Sequence, residues 1–206
     1  NNYNIKFFNF IDSLHNISLF ITEFDILQCK SYIANKYNLC KPKIDLSKKK
    51  SFISFTGLKH LLVEQLNINE LYVTNDLTLG TNKKTDGNGI LLYGTNAVGK
   101  TCLIKSIGIS IVMVQSGLYA PCSSFNYFPY NSIFTRILGN DNIFKGLSTF
   151  AVEMSELSTI LKFADKNSLI LGDELCSGTE NDSALSIFTA GLEDLHKKKS
   201  TFLFAT

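Results

Sequence analysis

The sequence predicts an α/β domain with a mainly parallel sheet flanked by helices, preceded by an α-helical segment. Three observations carry this. From Ile90 onward, short apolar stretches alternate with longer stretches of helical spacing. The first of these apolar stretches runs into Gly94-Thr95-Asn96-Ala97-Val98-Gly99-Lys100-Thr101, which fits G-x-x-x-x-G-K-[ST] at every fixed position. Before Tyr37, apolar residues recur at helical spacing, and Pro42 forbids the pattern from continuing.

The helical segment takes Phe7, Ile11, Leu14, Ile17, Phe20 or Ile21, Phe24, Leu27 and Ile33 as one face, and either one long helix or two shorter ones satisfies it. The charged loop Asp45 to Lys50 marks a boundary. Beyond it, Ser51 to Phe55 and Glu70 to Leu79 read as short strands, with a turn from Thr81 to Gly89. The alternating part then predicts strands at Ile90–Tyr93, Ile133–Leu138, Ser168–Gly172 and Thr201–Ala205, and helices over Lys100–Tyr119, Thr149–Ala164 and Asp182–Leu195. Strands this apolar are expected to be covered on both faces.

Composition narrows the class further. The 206 residues are 45% hydrophobic, 12% aromatic and 18% charged, as suits a globular core. Twenty basic residues against 18 acidic ones leave a net charge of +2, too balanced to argue for nucleic-acid binding by field strength. The lysine runs Lys48–Lys50 and Lys197–Lys199 read as solvated loops, and Arg136 stands alone as the one arginine. Five scattered cysteines without a Cys-x-x-Cys pair suggest neither a zinc site nor a disulfide framework, so an intracellular, reducing compartment is expected. The most apolar run, Leu103 to Val114, contains Lys105 and falls short of the roughly 20 residues a membrane span needs, so no membrane partner is expected.

Chemistry concentrates in three places. In the glycine loop, Gly94 and Gly99 let the backbone curl so that its N–H groups face phosphate, and the helix starting at Lys100 adds its positive end. Lys100 is expected to reach the β- and γ-phosphates of ATP, and the Thr101 hydroxyl to ligate Mg²⁺. The apolar strand Ser168–Gly172 ends in Asp173-Glu174. Asp173 is expected to hold Mg²⁺, and Glu174 to orient and deprotonate the attacking water. Third, Gly146-Leu147-Ser148-Thr149 opens a helix, with Ser148 or Thr149 as its N-cap, and forms a usable anion site.

With these motifs in this order, the chain resembles the ATPase domain of the MutS mismatch-repair family, within the wider ABC-type P-loop ATPases. Glu23-Phe24-Asp25-Ile26-Leu27 and Cys40-Lys41-Pro42 resemble the end of that family's lever helix and its exit. Lys59-His60-Leu61-Leu62-Val63-Glu64 is similar to R-H-P-x-x-E, and Tyr72 to Leu77 to F-[IV]-x-N-D-[LI]. Ile133-Phe134-Thr135-Arg136-Ile137 and Ser148-Thr149-Phe150 to Glu153-Met154 resemble I-F-[TS]-R-[IV] and S-T-F-x-x-E-[ML]. The stretch Gly172 to Glu180 looks like the divergent branch of large DNA viruses and octocoral mitochondria.

The resemblance implies a helical lever over residues 1–44 and an ATPase domain over 45–206, truncated at its C-terminus. It implies that Ser148 acts on the γ-phosphate of nucleotide held by a partner subunit, so that sites are composite and the active unit is a dimer of identical or paralogous subunits. Tyr72 would stack on adenine, Asn96 would contact phosphates or the opposing subunit, and Arg136 would have a structural or interface role needing its guanidinium fork. Double-stranded DNA would be gripped by other parts of the protein.

The chain also departs from the pattern: Thr95 and Val98 replace Pro and Met, Thr101 replaces Ser, and Lys59 and Leu61 replace Arg and Pro. Either Asp182 or Ser183 takes the place of the dimer-loop aspartate. The sequence given ends at Thr206, where the family continues with histidine, so this stretch is expected to be a piece of a longer protein that binds ATP better than it hydrolyses it. Two other readings, an ABC-type ATPase of chromosome maintenance or recombination and a nucleotide-binding interaction module without turnover, fit Leu147-Ser148-Thr149-Phe150 and the intact acidic pair less well.

Overall fold

A computed structural model of the chain describes residues 8, 10–66, 71–81, 87–95, 97–136, 149–173 and 181–206. The chain divides into two compact units, Asn1–Leu39 and Cys40–Thr206. In the first, a single helix α1 spans Ile11–Lys36, which resolves the choice between one helix and two. It has no buried residue and no dry face: Ile11, Leu14, Ile17, Phe20, Phe24 and Leu27 are exposed, as are Leu19 and Ile26 off that row.

The second unit is built on two sheets. Its elements are β1 (Lys43–Ile44), β2 (Phe52–Leu58), α2 (Leu61–Leu66), β3 (Asn75–Leu79), β4 (Gly89–Leu92), α3 (Lys100–Gln115), β5 (Ser124–Phe128), β6 (Ser132–Arg136), α4 (Thr149–Phe163), β7 (Ser168–Asp173), α5 (Asn181–Lys197) and β8 (Thr201–Ala205). One sheet has the order β4-β8-β7-β6 and is parallel throughout. The other, β1-β5-β2-β3, is mixed: β2 runs antiparallel to β3 and β5, and β1 runs parallel to β5. The sequence led to the first sheet. It also led to β2 and β3 of the second, whereas β1, β5 and α2 were not read as elements.

Strand alternation divides the parallel sheet between two cores. Leu169 and Leu171 of β7 and Leu203 and Ala205 of β8 join Ile104, Ile107, Ile111 and Val114 of α3 and the apolar residues of β2 and β5 in one cluster. Ile170 of β7 and Phe202 and Phe204 of β8 face the other way, against Ile160 of α4, Ala164 just beyond its end and Leu195 of α5. The sheet is therefore the middle layer, with α3 and the mixed sheet on one side and α4 and α5 on the other. This is why β7 and β8 are apolar at consecutive positions.

α3 ends at Gln115, short of the expected Tyr119, because Gly117 takes a left-handed φ of 76°. The Leu118 N–H then reaches back to the Met113 carbonyl at 2.9 Å, and the last carbonyls are closed off. At the entry to β4, Gly89 lies under the Phe202 ring so closely that an added Cβ would meet Phe202 atoms at 1.9 to 2.4 Å. Just before β2, Lys50 is buried and donates to the Asn88 side-chain carbonyl.

Two outcomes follow from these contacts. Gly89→Ala is expected to destabilise the domain by about 1–3 kcal/mol, read by urea denaturation, because the Phe202 ring must move within a packed core. For Lys50, burial first and the Lys199 charge second push the ammonium down to about 8 from its ordinary 10.5. Between those pH values the unfolded chain holds a proton that the folded chain has released, so stability rises with pH across that window. Lys50→Met is expected to flatten the rise in denaturation midpoints measured from pH 7.5 to 10.

Candidate functional site

In a parallel sheet ligands gather at the C-terminal ends of the strands. Here Leu92 of β4 pairs with Ala205 of β8, and Ala205 pairs with Asp173 of β7. Asp173 thus stands level with Leu92 two strands away, about 9.5 Å at ordinary strand spacing. The glycine loop begins two residues beyond Leu92. It also sits beside the end of β8, since the Thr206 N–H donates to the Leu92 carbonyl at 2.9 Å.

The loop has the conformation its residues require. Gly99 has a φ of 96°, and Ala97 takes a left-handed 65°. At Gly99 an added Cβ would meet no atom within 4 Å, so what excludes other residues there is backbone conformation and not space. Gly99 is the N-cap of α3, with no side-chain cap, and the first turn holds no acidic residue. The positive end of a 16-residue helix is therefore open to an anion. Gly94, Thr95, Ala97, Val98 and Gly99 are exposed, and the Lys100 ammonium folds back onto the loop's own carbonyls, those of Gly94 and, at 3.5 Å, Thr95.

Asp173 shares the face of β7 that carries Leu169 and Leu171, the face that packs against α3. Leu171 lies under Gly108. Two residues further along β7, Asp173 is displaced toward the start of α3, where Thr101 sits. Its carboxylate is buried, and its Oδ1 has no hydrogen-bond partner among the described residues. A carboxylate oxygen left without a partner in a desolvated place is costly unless something positive meets it. A buried carboxylate oxygen of this kind, on the face of β7 that packs against α3, fits a hard cation such as Mg²⁺.

Tyr72 comes to the same helix: its hydroxyl lies 3.5 Å from Cys102 Sγ, one residue after Thr101. Burial first, then the Cys102 contact, push the phenol up from its ordinary value. Asn96, Ser148 and Glu174 lie outside the described residues. Thr149 begins α4, one residue after Ser148. A separate cleft of about 320 Å³ between α3, β6 and β7 is walled by apolar groups such as Ile109, Val112 and Ile133 and takes no part in this cluster.

The single arginine has a structural explanation. Arg136, at the C-terminal end of β6, forks between two carboxylates of α4, Glu153 at 3.2 Å and Glu156 at 2.9 Å. Glu153 is 3% exposed and Glu156 46%. The fork ties the helix that follows Ser148 to the sheet edge where Asp173 ends. Glu156 was missed in the sequence, though its i, i+3 spacing from Glu153 places both on one helical face.

Residues 90–206, more than half of the chain, match the family model of MutS domain V. The chain belongs to the MutS family. MutS relatives include a DNA mismatch repair mutS homolog of Acanthamoeba polyphaga mimivirus, 39% identical across 94% of this chain and 20% of its own length. A mitochondrial mutS homolog of Sarcophyton glaucum is 39% identical across 90% of this chain and 19% of its own length. MutS of Prochlorococcus marinus strain NATL1A is 37% identical across 95% and 21%. The chain spans about a fifth of the length of these MutS proteins. Among its described residues no helix is long and apolar enough to cross a membrane.

The Arg136 fork separates two expected outcomes. Arg136→Ala takes the guanidinium from the buried Glu153 carboxylate and is expected to cost about 2–4 kcal/mol in denaturant titrations. Glu156→Ala loses only a half-exposed partner and is expected to cost less than about 1 kcal/mol in the same titrations.

Proposed function

We propose that this chain binds and hydrolyses Mg²⁺-ATP as the nucleotide-driven part of a DNA mismatch-recognition protein. The reading is supported above all by one observation: the glycine loop with its open helix end and the buried Asp173 oxygen lie on one edge of the parallel sheet. Membership of the MutS family points the same way. On this reading the second unit is an ABC-type P-loop ATPase fold and α1 is the end of a lever helix.

Each residue then has a task. The backbone N–H groups of Gly94 to Thr101, Asn96 included, cradle the phosphates, and Lys100 exchanges its carbonyl partners for β- and γ-phosphate oxygens. Thr101 and Asp173 would hold Mg²⁺, which when bound would neutralise phosphate charge. Glu174 takes a proton from water as the water oxygen attacks the γ-phosphorus and the bond to the β-phosphate oxygen breaks. Tyr72 flanks the adenine, with its hydroxyl anchored on Cys102. Ser148, which precedes α4 in the sequence, is offered to nucleotide held by a second copy or a paralogous subunit. DNA is gripped by parts of the protein other than this domain.

The test uses the intact protein. Lys100→Ala is expected to weaken ATP binding at least about tenfold by equilibrium titration. Glu174→Gln is expected to keep binding and lose about 100-fold or more in turnover. Asp173→Asn is expected to leave the folded state without nucleotide as stable or more so, since it removes a buried charge, while abolishing the Mg²⁺ dependence of binding. Unchanged hydrolysis in Glu174→Ala would remove its assigned role, and tight binding without turnover in the unsubstituted protein would favour a nucleotide-switched interaction module.

A further inference from the structure

Two thiols that the nucleotide reading leaves unused are packed against each other. Cys40 and Cys122, 82 residues apart in the chain, have their sulfurs 3.3 Å apart. The backbone around them is tightly held. Cys40 and Ala120 form a two-way bridge, with N···O distances of 2.8 and 2.9 Å. Pro121 sits in a tight turn closed by the Cys122 N–H on the Ala120 carbonyl at 2.9 Å, and its ring limits the freedom of that turn. On the far side, Lys59 donates to the Pro121 carbonyl at 3.0 Å and Ser123 to that of Thr56 at 2.9 Å. Both sulfurs are therefore carried on backbone that is fixed before any bond between them exists.

We propose that Cys40 and Cys122 form a redox modification site, a dithiol that closes to a disulfide on oxidation and clasps the first residue of the second unit to the loop entering β5. The sulfurs need to approach by about 1.3 Å to reach bonding distance, a movement within reach of side-chain rotation. The two sulfurs differ in the way such chemistry uses. Cys40 is partly exposed and so meets the oxidant, whereas Cys122 is 3% exposed, with its thiol against the Ser124 carbonyl at 3.2 Å. The contact with Cys122 holds the Cys40 thiol below its ordinary value, which favours the nucleophilic thiolate there. A metal is the other common occupant of paired cysteines, but no group of three or more His, Cys, Asp or Glu suited to one exists among the described residues.

With a low-molecular-weight disulfide as oxidant, the Cys40 thiolate attacks one of its sulfurs, forming a mixed disulfide and releasing one thiolate. Cys122 then loses its proton, attacks Cys40 Sγ and expels the second thiolate. The two protein thiols give up two protons and two electrons, and the oxidant becomes two thiols. The site is independent of ATP binding. A reducing compartment keeps such a pair open by default, and oxidation closes it transiently.

The experiment treats the intact folded protein with oxidised glutathione and maps its peptides without reductant. A Cys40–Cys122 cross-linked peptide is expected, with two fewer thiols titrating and full reversal by dithiothreitol. Closing so long a loop is expected to raise the melting temperature by roughly 5 °C or more, a shift absent from Cys40→Ala and Cys122→Ala alike. Both thiols remaining free to alkylation, a glutathionylated Cys40 that never resolves, or a cross-link to Cys29, Cys102 or Cys176 instead would overturn the proposal. The map of the unsubstituted protein decides this by itself, so a variant that fails to fold does not rescue or sink it.

Discussion

Successive side chains of β7 point to opposite sides, Leu169 and Leu171 into the core under α3 and Ile170 into the core under α4 and α5. The rest of the domain hangs on this alternation. It is repeated one strand over, where Leu203 and Ala205 face α3 and Phe202 and Phe204 face the other helices. A one-residue slip of either strand would turn both cores inside out, so the register between them is strongly specified. The same parity decides where the carboxylate that ends the strand goes. Asp173 is an odd-numbered position in β7 and is therefore delivered to the α3 side, beside the start of the helix that carries Lys100 and Thr101.

The edge that results concentrates electrostatic cost in one place. It holds an uncapped helix end, a lysine folded onto loop carbonyls, and a buried carboxylate oxygen with no partner among the described residues. Each is unfavourable alone, and together they are complementary to a polyanion with its divalent cation. Nearby, charge is spent on rigidity instead. Arg136 binds Glu153 and Glu156 in one fork, and a lysine in its place would offer a point charge without the geometry to hold both.

How much of this could be read beforehand varied with the kind of signal. The glycine loop and the parallel strands were plain, because a phosphate-binding turn needs particular residues at particular spacings and a doubly covered strand needs unbroken apolar stretches. β5 was not: Ser124-Phe125-Asn126-Tyr127-Phe128 alternates as a strand should, but its partners lie about seventy residues upstream in β2 and further still in β1. The single helix α1 could not be told from two, since apolar residues at helical spacing fit one long helix or two shorter ones alike. Lys50 belonged to a run that reads as solvated, yet it is buried against Asn88 because β2 and β4 begin side by side.

By itself the sequence determined the loop at Gly94 to Thr101, the acidic end of the Ser168–Asp173 strand, the helices that follow them and the family to which they belong. These are local matters, since turn chemistry, strand apolarity and helix periodicity are each decided within a dozen residues. Only the tertiary structure decided which strands neighbour one another, that Arg136 forks onto α4, that Tyr72 meets Cys102, and that Cys40 meets Cys122. Such contacts join residues that chain distance does not relate. They exist because two sheets and their helices must bury their faces together, and no short stretch of sequence carries that constraint alone.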